Sequence, residues 1–366
     1  MIKEYDVYYA TGGGPIVQGG SDVWVNHWID DVAPKLDVKP ILLIHKEEPD
    51  DGLAPDFSSK SIEQPKHFAI TEGYTEKVEE FDNKIEIVYF DNRNPNKFHK
   101  LMKDARRINV LDGHYQTVDC IESNKDKIHT VVVQVSNELV VGAIDKLDIS
   151  KSVEFEIELE WESKLLSWSK YPIWIGIDKV SLHDKFDIIN IPNYYEFREN
   201  KEIVINDKVG FSARMETRKC PHYLEGIESV AFTSNSGIKW WEENVGVVFD
   251  KTKLYKFKYD NLDKFYNLDW GISHSCFVDE PFGYSIFQAL DYGKIPIISK
   301  DWCEEYDYPY RANNKIEFDE VYKILISTEY NIKNKVMKDF REYLKKYDNI
   351  NEWVIKYLEI YNEDSK

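Results

Sequence analysis

Cysteine is scarce in this 366-residue chain: the four that occur, Cys120, Cys220, Cys276 and Cys303, lie far apart with no Cys-x-x-Cys pair. That excludes a disulfide framework and a zinc signature, and it points to free thiols in a reducing compartment. Basic residues are also in deficit, with 47 Lys and Arg against 66 Asp and Glu and a net charge of −19. Such a field repels polyanions at long range, which argues against a dedicated nucleic-acid coat or membrane-surface protein but leaves room for local basic patches. No run of about 18 apolar residues occurs, so no transmembrane helix is expected. The opening Met-Ile-Lys-Glu-Tyr-Asp lacks the basic-then-apolar pattern of a signal peptide. Internal repeats and low-complexity tracts are missing as well. What is present is apolar material, 42% hydrophobic and 14% aromatic residues, enough for a sizeable core. The length predicts about two domains, and the expected location is the cytoplasm.

Short apolar runs at Tyr5–Thr11, Pro40–Ile44, Ile85–Phe90, Ile108–Leu111 and Thr130–Val135 read as buried strands. Between them lie an amphipathic stretch with Val23, Val25, Trp28, Ile29 and Val32, capped by Ser21 or Asp22, and a helical segment over 97–107. Residues 46–83 are polar and read as a long loop. Over 152–162, Val153, Phe155, Ile157, Leu159 and Trp161 alternate with Glu154, Glu156, Glu158 and Glu160. Period two argues for a strand and the Glu and Leu content for a helix, so the residues alone leave both open. After a polar linker at 193–200, further strands are expected at Val209–Ser212, Val230–Phe232, Val245–Phe249, Gly271–Ser273 and Ile295–Ser299, followed by about 40 helical C-terminal residues. Alternating strands and helices predict two α/β halves, each with a parallel sheet.

Two stretches carry chemistry. Glu280-Pro-Phe-Gly-Tyr-Ser-Ile-Phe-Gln-Ala-Leu follows a strand that ends near Phe277, turns at Pro281–Gly283 and starts a helix near Tyr284. The free N–H groups and dipole of a helix start suit a phosphate, and the preceding carboxylate can accept hydrogen bonds from hydroxyls. Gly210-Phe-Ser-Ala-Arg-Met-Glu-Thr-Arg-Lys219 places Arg214 and Lys219 behind another short strand, as a planar fork and a compact charge able to clamp a diphosphate. A glycine loop, Gly12-Gly-Gly-Pro-Ile-Val-Gln-Gly-Gly-Ser21, follows the first strand. Position 17 is Val, so the Gly-x-Gly-x-x-Gly dinucleotide fingerprint fails and a nicotinamide-dependent oxidoreductase is set aside.

Together these stretches resemble GT-B-fold glycosyltransferases, specifically retaining family 4, most specifically between 209 and 299 and more weakly in the first half. The resemblance implies two Rossmann-like domains facing a cleft: 1–195 for the acceptor, 196–345 for the nucleotide-sugar donor, and 346–366 as a helix, including Trp353, that crosses back onto the first domain. It tips 152–162 toward helix. It implies that Arg214 and Lys219 bind the donor diphosphate, that Glu280 bonds donor-sugar hydroxyls, and that Phe282, Gly283, Tyr284 and Ser285 hold sugar and phosphate through backbone N–H groups. Gly19 and Gly20 would approach the donor phosphate, Ser21 the acceptor, and His114, in Leu-Asp-Gly-His-Tyr after a strand, the donor sugar. Tyr259 falls where the family contacts the nucleobase. Three positions depart from the pattern: Ala213 and Cys220 stand where Gly is usual, and Gln288 replaces the second Glu, which bonds the ribose.

The function so implied is transfer of a sugar from a UDP- or GDP-sugar to a hydroxyl acceptor with retention, with no metal and no cofactor beyond the donor. The acceptor expected is a saccharide or another hydroxyl compound. Hydroxymethylated DNA is the alternative, since Lys97, Lys100, Lys103, Arg106 and Arg107 could form a basic stripe along a helix, but the net charge opposes it. A non-catalytic nucleotide-sugar or glycan-binding protein of the same fold is the other alternative.

Overall fold

In the computed structural model, residues 5–10, 20–38, 40–45, 68–72, 85–90, 95–112, 117–118, 121–134, 159–199, 201–213, 215, 219–233, 235–256, 262–277 and 280–363 are described. The first apolar run, Asp6–Ala10 (β1), is buried throughout and lies within an eight-stranded sheet. Its companions are β2 (Pro40–His45), β3 (Phe68–Glu72), β4 (Ile85–Phe90), β5 (Arg107–Val110), β6 (Ile128–Val133), β7 (Tyr171–Trp174) and β8 (Ile189–Asn190). The order is β3-β4-β2-β1-β5-β6-β7-β8, every pair parallel. The helices accompanying it are α1 (Gly20–His27), α2 (Pro95–Asp104) and α3 (Leu159–Trp168). Because strand side chains alternate, β1 feeds two cores. Tyr8 and Ala10 pack with Trp24 and Trp28 on one face, and Val7 and Tyr9 pack with Met102 and Leu165 on the other.

The second sheet comprises β9 (Val209–Phe211), β10 (Ser229–Thr233), β11 (Thr252–Lys256), β12 (Ile272–Ser275) and β13 (Ile295–Ile298), ordered β11-β10-β9-β12-β13 and again all parallel. Around it run α4 (Asn235–Asn244), α5 (Tyr284–Asp291), α6 (Lys315–Ser327) and α7 (Tyr330–Leu344). The last helix, α8 (Ile350–Asn362), leaves this lobe. Its Trp353, Tyr357 and Tyr361 join the first-lobe core, with Tyr361 edge-on to Tyr8 at 5.4 Å and Tyr357 edge-on to Trp24 at 6.0 Å.

Several expectations need correction. The predicted loop at 46–83 contains an edge strand, β3, paired with β4. Val245–Phe249 is not a strand: Gly246, with φ +80°, turns the chain after α4, and Val245 and Val248 are exposed. The edge strand is instead Thr252–Lys256, in which Lys253 and Lys256 flank Leu254 and Tyr255. Strand β7 was not anticipated. The helix expected over 97–107 ends at Asp104. Arg106 instead pairs in two-point fashion with Asp6 (2.9 and 2.7 Å), and Arg107 donates to the Tyr361 carbonyl at 2.9 Å, so the supposed basic stripe loses its last two members to the fold. Of the ambiguous 152–162, the part from Leu159 is helical and 152–158 lies outside the described residues.

Candidate active site

Helix α5 is preceded by a position that tolerates no side chain easily. Gly283 has φ +81°, and a Cβ there would lie 2.9 Å from Ile286 and 3.0 Å from Trp302. That conformation brings the Gly283 N–H back to Glu280 Oε1 (3.2 Å), while the other oxygen, Oε2, receives Lys219 Nζ at 2.9 Å. The pair is largely withdrawn from solvent, with side chains 14% and 18% exposed, and Lys219 Nζ also sits 4.8 Å over the Phe277 ring. Two segments separated by 61 residues, both singled out in the sequence, thus meet at one carboxylate. Ser285 Oγ, in the first turn of α5, is buried with no protein hydrogen-bond partner. Cys220, next to Lys219, keeps a left-handed backbone (φ 51°, ψ 44°) although it is not glycine. Its carbonyl accepts a bond from His274 Nε2 at 2.9 Å, and that contact helps hold the turn that carries the lysine.

Beside the start of α5 a cavity of about 600 Å³ lies between the lobes. The first lobe contributes Val23 and His27, one turn apart on α1. The second contributes Tyr284 and Gln288, one turn apart on α5, Tyr292 just past its end, and Leu262, Asp263 and Tyr266 from the helical turn at 262–266. The floor is the interlobe segment Tyr194–Arg198. On one wall Arg198 Nη1 donates to the Tyr292 hydroxyl at 2.5 Å and to Asp263 Oδ1 at 3.3 Å, and the Tyr292 hydroxyl donates to Asp263. The tyrosine hydroxyl and the guanidinium hold the Asp263 carboxyl below its ordinary range, while burial, with the carboxylate beside it, pushes Tyr292 up to about 12.

Among the site residues expected from sequence, Lys219, Glu280, Gly283, Tyr284, Ser285 and Gln288 are brought to this region. Phe282, just ahead of α5, turns inward and stacks on Phe287 at 4.7 Å. Gly20 and Ser21 open α1. Gly19, His114, Arg214 and Tyr259 lie outside the described residues. Sequence reading missed His27, Asp263, Tyr292 and the segment Tyr194–Arg198, which it took for a polar linker. The aromatic density of Asn-Tyr-Tyr-Glu-Phe-Arg was the available signal. Among the described residues no three His, Cys, Asp or Glu side chains gather as a metal site, and no helix is long and apolar enough to cross a membrane.

No protein-family model matches the chain, and no curated protein matches it in sequence. Solved structures do. The chain is similar to sucrose-phosphate synthase from Thermosynechococcus elongatus over 99% of both chains, with a TM-score of 0.65 at 12% identity. It is similar to an E. coli trehalose-6-phosphate structure bound with UDP-2-fluoro glucose over 98% of this chain and 99% of that one, with a TM-score of 0.56 at 10% identity. Against S. aureus TarM in complex with fondaparinux, alpha-GlcNAc-glycerol and UDP, 72% of this chain and 58% of that one match, with a TM-score of 0.54 at 13% identity. At such identities the shared property is the fold: two Rossmann-like α/β lobes in the GT-B arrangement.

Proposed function

We propose that this chain is a glycosyltransferase of the retaining family 4 type, moving a sugar from a nucleoside diphosphate sugar to a hydroxyl acceptor. The observation that carries the reading is the Lys219–Glu280 pair just ahead of α5, with a cavity walled by both lobes along that same helix. The diphosphate would lie against the Lys219 ammonium and the N-terminal N–H groups of α5, with Arg214 as the second cation. Glu280, held at both oxygens, would accept from hydroxyls of the donor sugar, and Gln288 would face the ribose. His114, Gly19, Gly20 and Ser21 would address the sugar, phosphate and acceptor from the first lobe, and Tyr259 the nucleobase.

The step follows from those placements. The bond from the anomeric carbon to the diphosphate oxygen breaks, the bond to the acceptor oxygen forms on the same face, and the acceptor proton passes to the departing phosphate. The protein supplies positioning and preorganised positive charge where the leaving diphosphate develops negative charge, and no protein carboxylate base and no metal is assigned a step. Arg106 and Arg107 are occupied within the fold, which favours a saccharide or other small hydroxyl acceptor over a polynucleotide.

A thermal-shift panel of UDP-, GDP-, ADP- and TDP-sugars tests the reading. A donor present at 100 times its Kd stabilises by about 2.7 kcal/mol, so one base class should stand out. With that donor, Lys219→Ala should lower kcat/KM by about 100-fold or more, and Glu280→Gln should impair transfer more than nucleotide binding. No shift with any donor sinks the proposal, and binding without turnover or donor hydrolysis turns it into a nucleotide-sugar-binding protein.

A further inference from the structure

His27 is the one cavity-lining imidazole among the described residues, and no motif pointed to it. It ends α1, and directly behind it the backbone widens into a π-helical turn, Trp28–Val32. Such insertions re-aim side chains and recur at functional sites. Here the turn presents Asp31 to the Tyr194 hydroxyl, which donates to Oδ2 at 2.6 Å, and the anchored Tyr194 ring stacks on His27 with centroids 4.6 Å apart and planes 24° apart. On the far side Tyr284, the first residue of α5, meets His27 edge-on at 6.0 Å. The imidazole is therefore fixed in orientation between the two lobes.

Its two nitrogens differ. Nδ1 is buried without a hydrogen-bond partner, whereas Nε2, on a side chain that lines the cavity, is not a buried orphan of this kind. Burial depresses the imidazole to about 4, against the weaker opposing pull of Asp31, so at neutral pH the ring carries one proton. An orphaned buried N–H is costlier than an orphaned lone pair. The proton therefore belongs on Nε2, and the nitrogen with access to the cavity is a donor.

Resting on the glycosyltransferase reading, we infer that His27 is a ligand-binding residue: its Nε2–H donates to an oxygen of the donor's nucleoside, across the cavity from Gln288. The nucleoside is favoured over the diphosphate because the rings against His27 are Tyr194 and Tyr284, the lining cation Arg198 is engaged by Asp263 and the Tyr292 hydroxyl, and Lys219 is not part of the lining. This contact would give the first lobe a direct grip on a nucleotide otherwise held by the second.

Isothermal calorimetry with UDP, GDP, ADP and TDP tests this, with inorganic pyrophosphate as a probe lacking the nucleoside. For the diphosphate that binds, His27→Phe, which keeps the stacked ring but has no N–H, should weaken affinity about tenfold. His27→Gln, whose Nε2 can take the same place, should bind within about threefold of the parent, and His27→Leu should match the Phe variant. Pyrophosphate should bind all four proteins alike. Equal nucleotide affinity in the parent, Phe and Leu proteins overturns the contact and leaves the glycosyltransferase reading standing. A parallel loss of pyrophosphate binding also overturns it, because the histidine would then be merely structural. Failure of the parent to bind any of the four nucleotides overturns the donor reading, and this contact with it.

Discussion

At the scale of single residues, three histidines share a physical state. His27, His222 and His274 are held neutral chiefly by desolvation, which lowers the first two to about 4 and the third to about 3. Between pH 6.5 and those values the unfolded chain binds protons the folded chain refuses, so stability must fall as pH falls through that window. His222 isolates the effect. It stacks on Trp241 with centroids 5.4 Å apart and planes 18° apart, and its Nδ1 has no partner. His222→Phe keeps the stack and should cost less than about 1.5 kcal/mol at pH 7.5. At pH 5, where this one imidazole should have cost the parent about 2 kcal/mol, the gap should close or reverse. Denaturant titrations at the two pH values decide it: equal acid losses in both proteins would mean that His222 does not stay neutral in the fold. The residue scale also shows what a local sequence can reveal. The turn at Pro281–Gly283 was legible because Pro and Gly between an apolar run and a helical pattern leave a short signature, whereas the meeting of Lys219 with Glu280 across 61 positions was not. His27 left none, since its aim depends on a π-helical turn and on Tyr194, 167 positions away in the chain.

At the scale of elements, central strands were legible and edge strands were not. β1, β6 and β13 are buried on both faces and so read as continuous apolar runs. β3 and β11 lie at sheet edges, and their sequences carry polar Glu72, Lys253 and Lys256, which read as loop. The junction of α5, α7 and the interlobe segment was equally hidden, because it is made by a charge pair. Asp291 ends α5, where the helix dipole disfavours an anion, yet it is fully buried. It is compensated by Arg341 of α7 at 2.7 Å, by the Tyr195 hydroxyl at 2.8 Å and by the Arg198 N–H at 3.3 Å. Arg341 also donates to the Arg198 carbonyl and lies 4.5 Å over the Phe197 ring. Removing one partner leaves a buried charge alone, so Arg341→Ala should cost roughly 3–5 kcal/mol in chemical denaturation. The double variant Asp291→Asn/Arg341→Met should recover much of that, since neither charge then remains. A loss below about 1 kcal/mol for Arg341→Ala would show the pair to be well solvated.

At the scale of the whole molecule, the question is what fixes one lobe against the other. After β7 the first lobe sends out Ile175–Asp178. The Ile177 N–H donates to the Pro281 carbonyl at 2.8 Å, one residue past Glu280, and Ile177 itself is packed in the second-lobe core. Asp178 accepts the Cys303 and Glu304 N–H groups at 2.5 and 3.2 Å, while the Trp174 indole holds its carbonyl at 2.7 Å. Cys303 has φ 54°, a left-handed conformation that an L side chain rarely adopts, so the Asp178 carboxylate stabilises a turn that would otherwise relax. Trp302, in the same turn, backs Gly283. A chain of contacts therefore runs from the first lobe through Asp178 and the 302–304 turn to the start of α5. Asp178→Ala should remove two charge-assisted bonds, each worth roughly 1.5–3 kcal/mol. If the contact chain sets the position of the Glu280 loop, it should also weaken donor binding about tenfold, or roughly 1.4 kcal/mol. Asp178→Asn, which retains one acceptor oxygen, should fall between. Measuring both quantities on the same variants separates the cases: lost stability with unchanged donor affinity would confine Asp178 to holding the lobes together. A joint loss graded from Asn to Ala would show that the first lobe governs the geometry of the second lobe's binding loop.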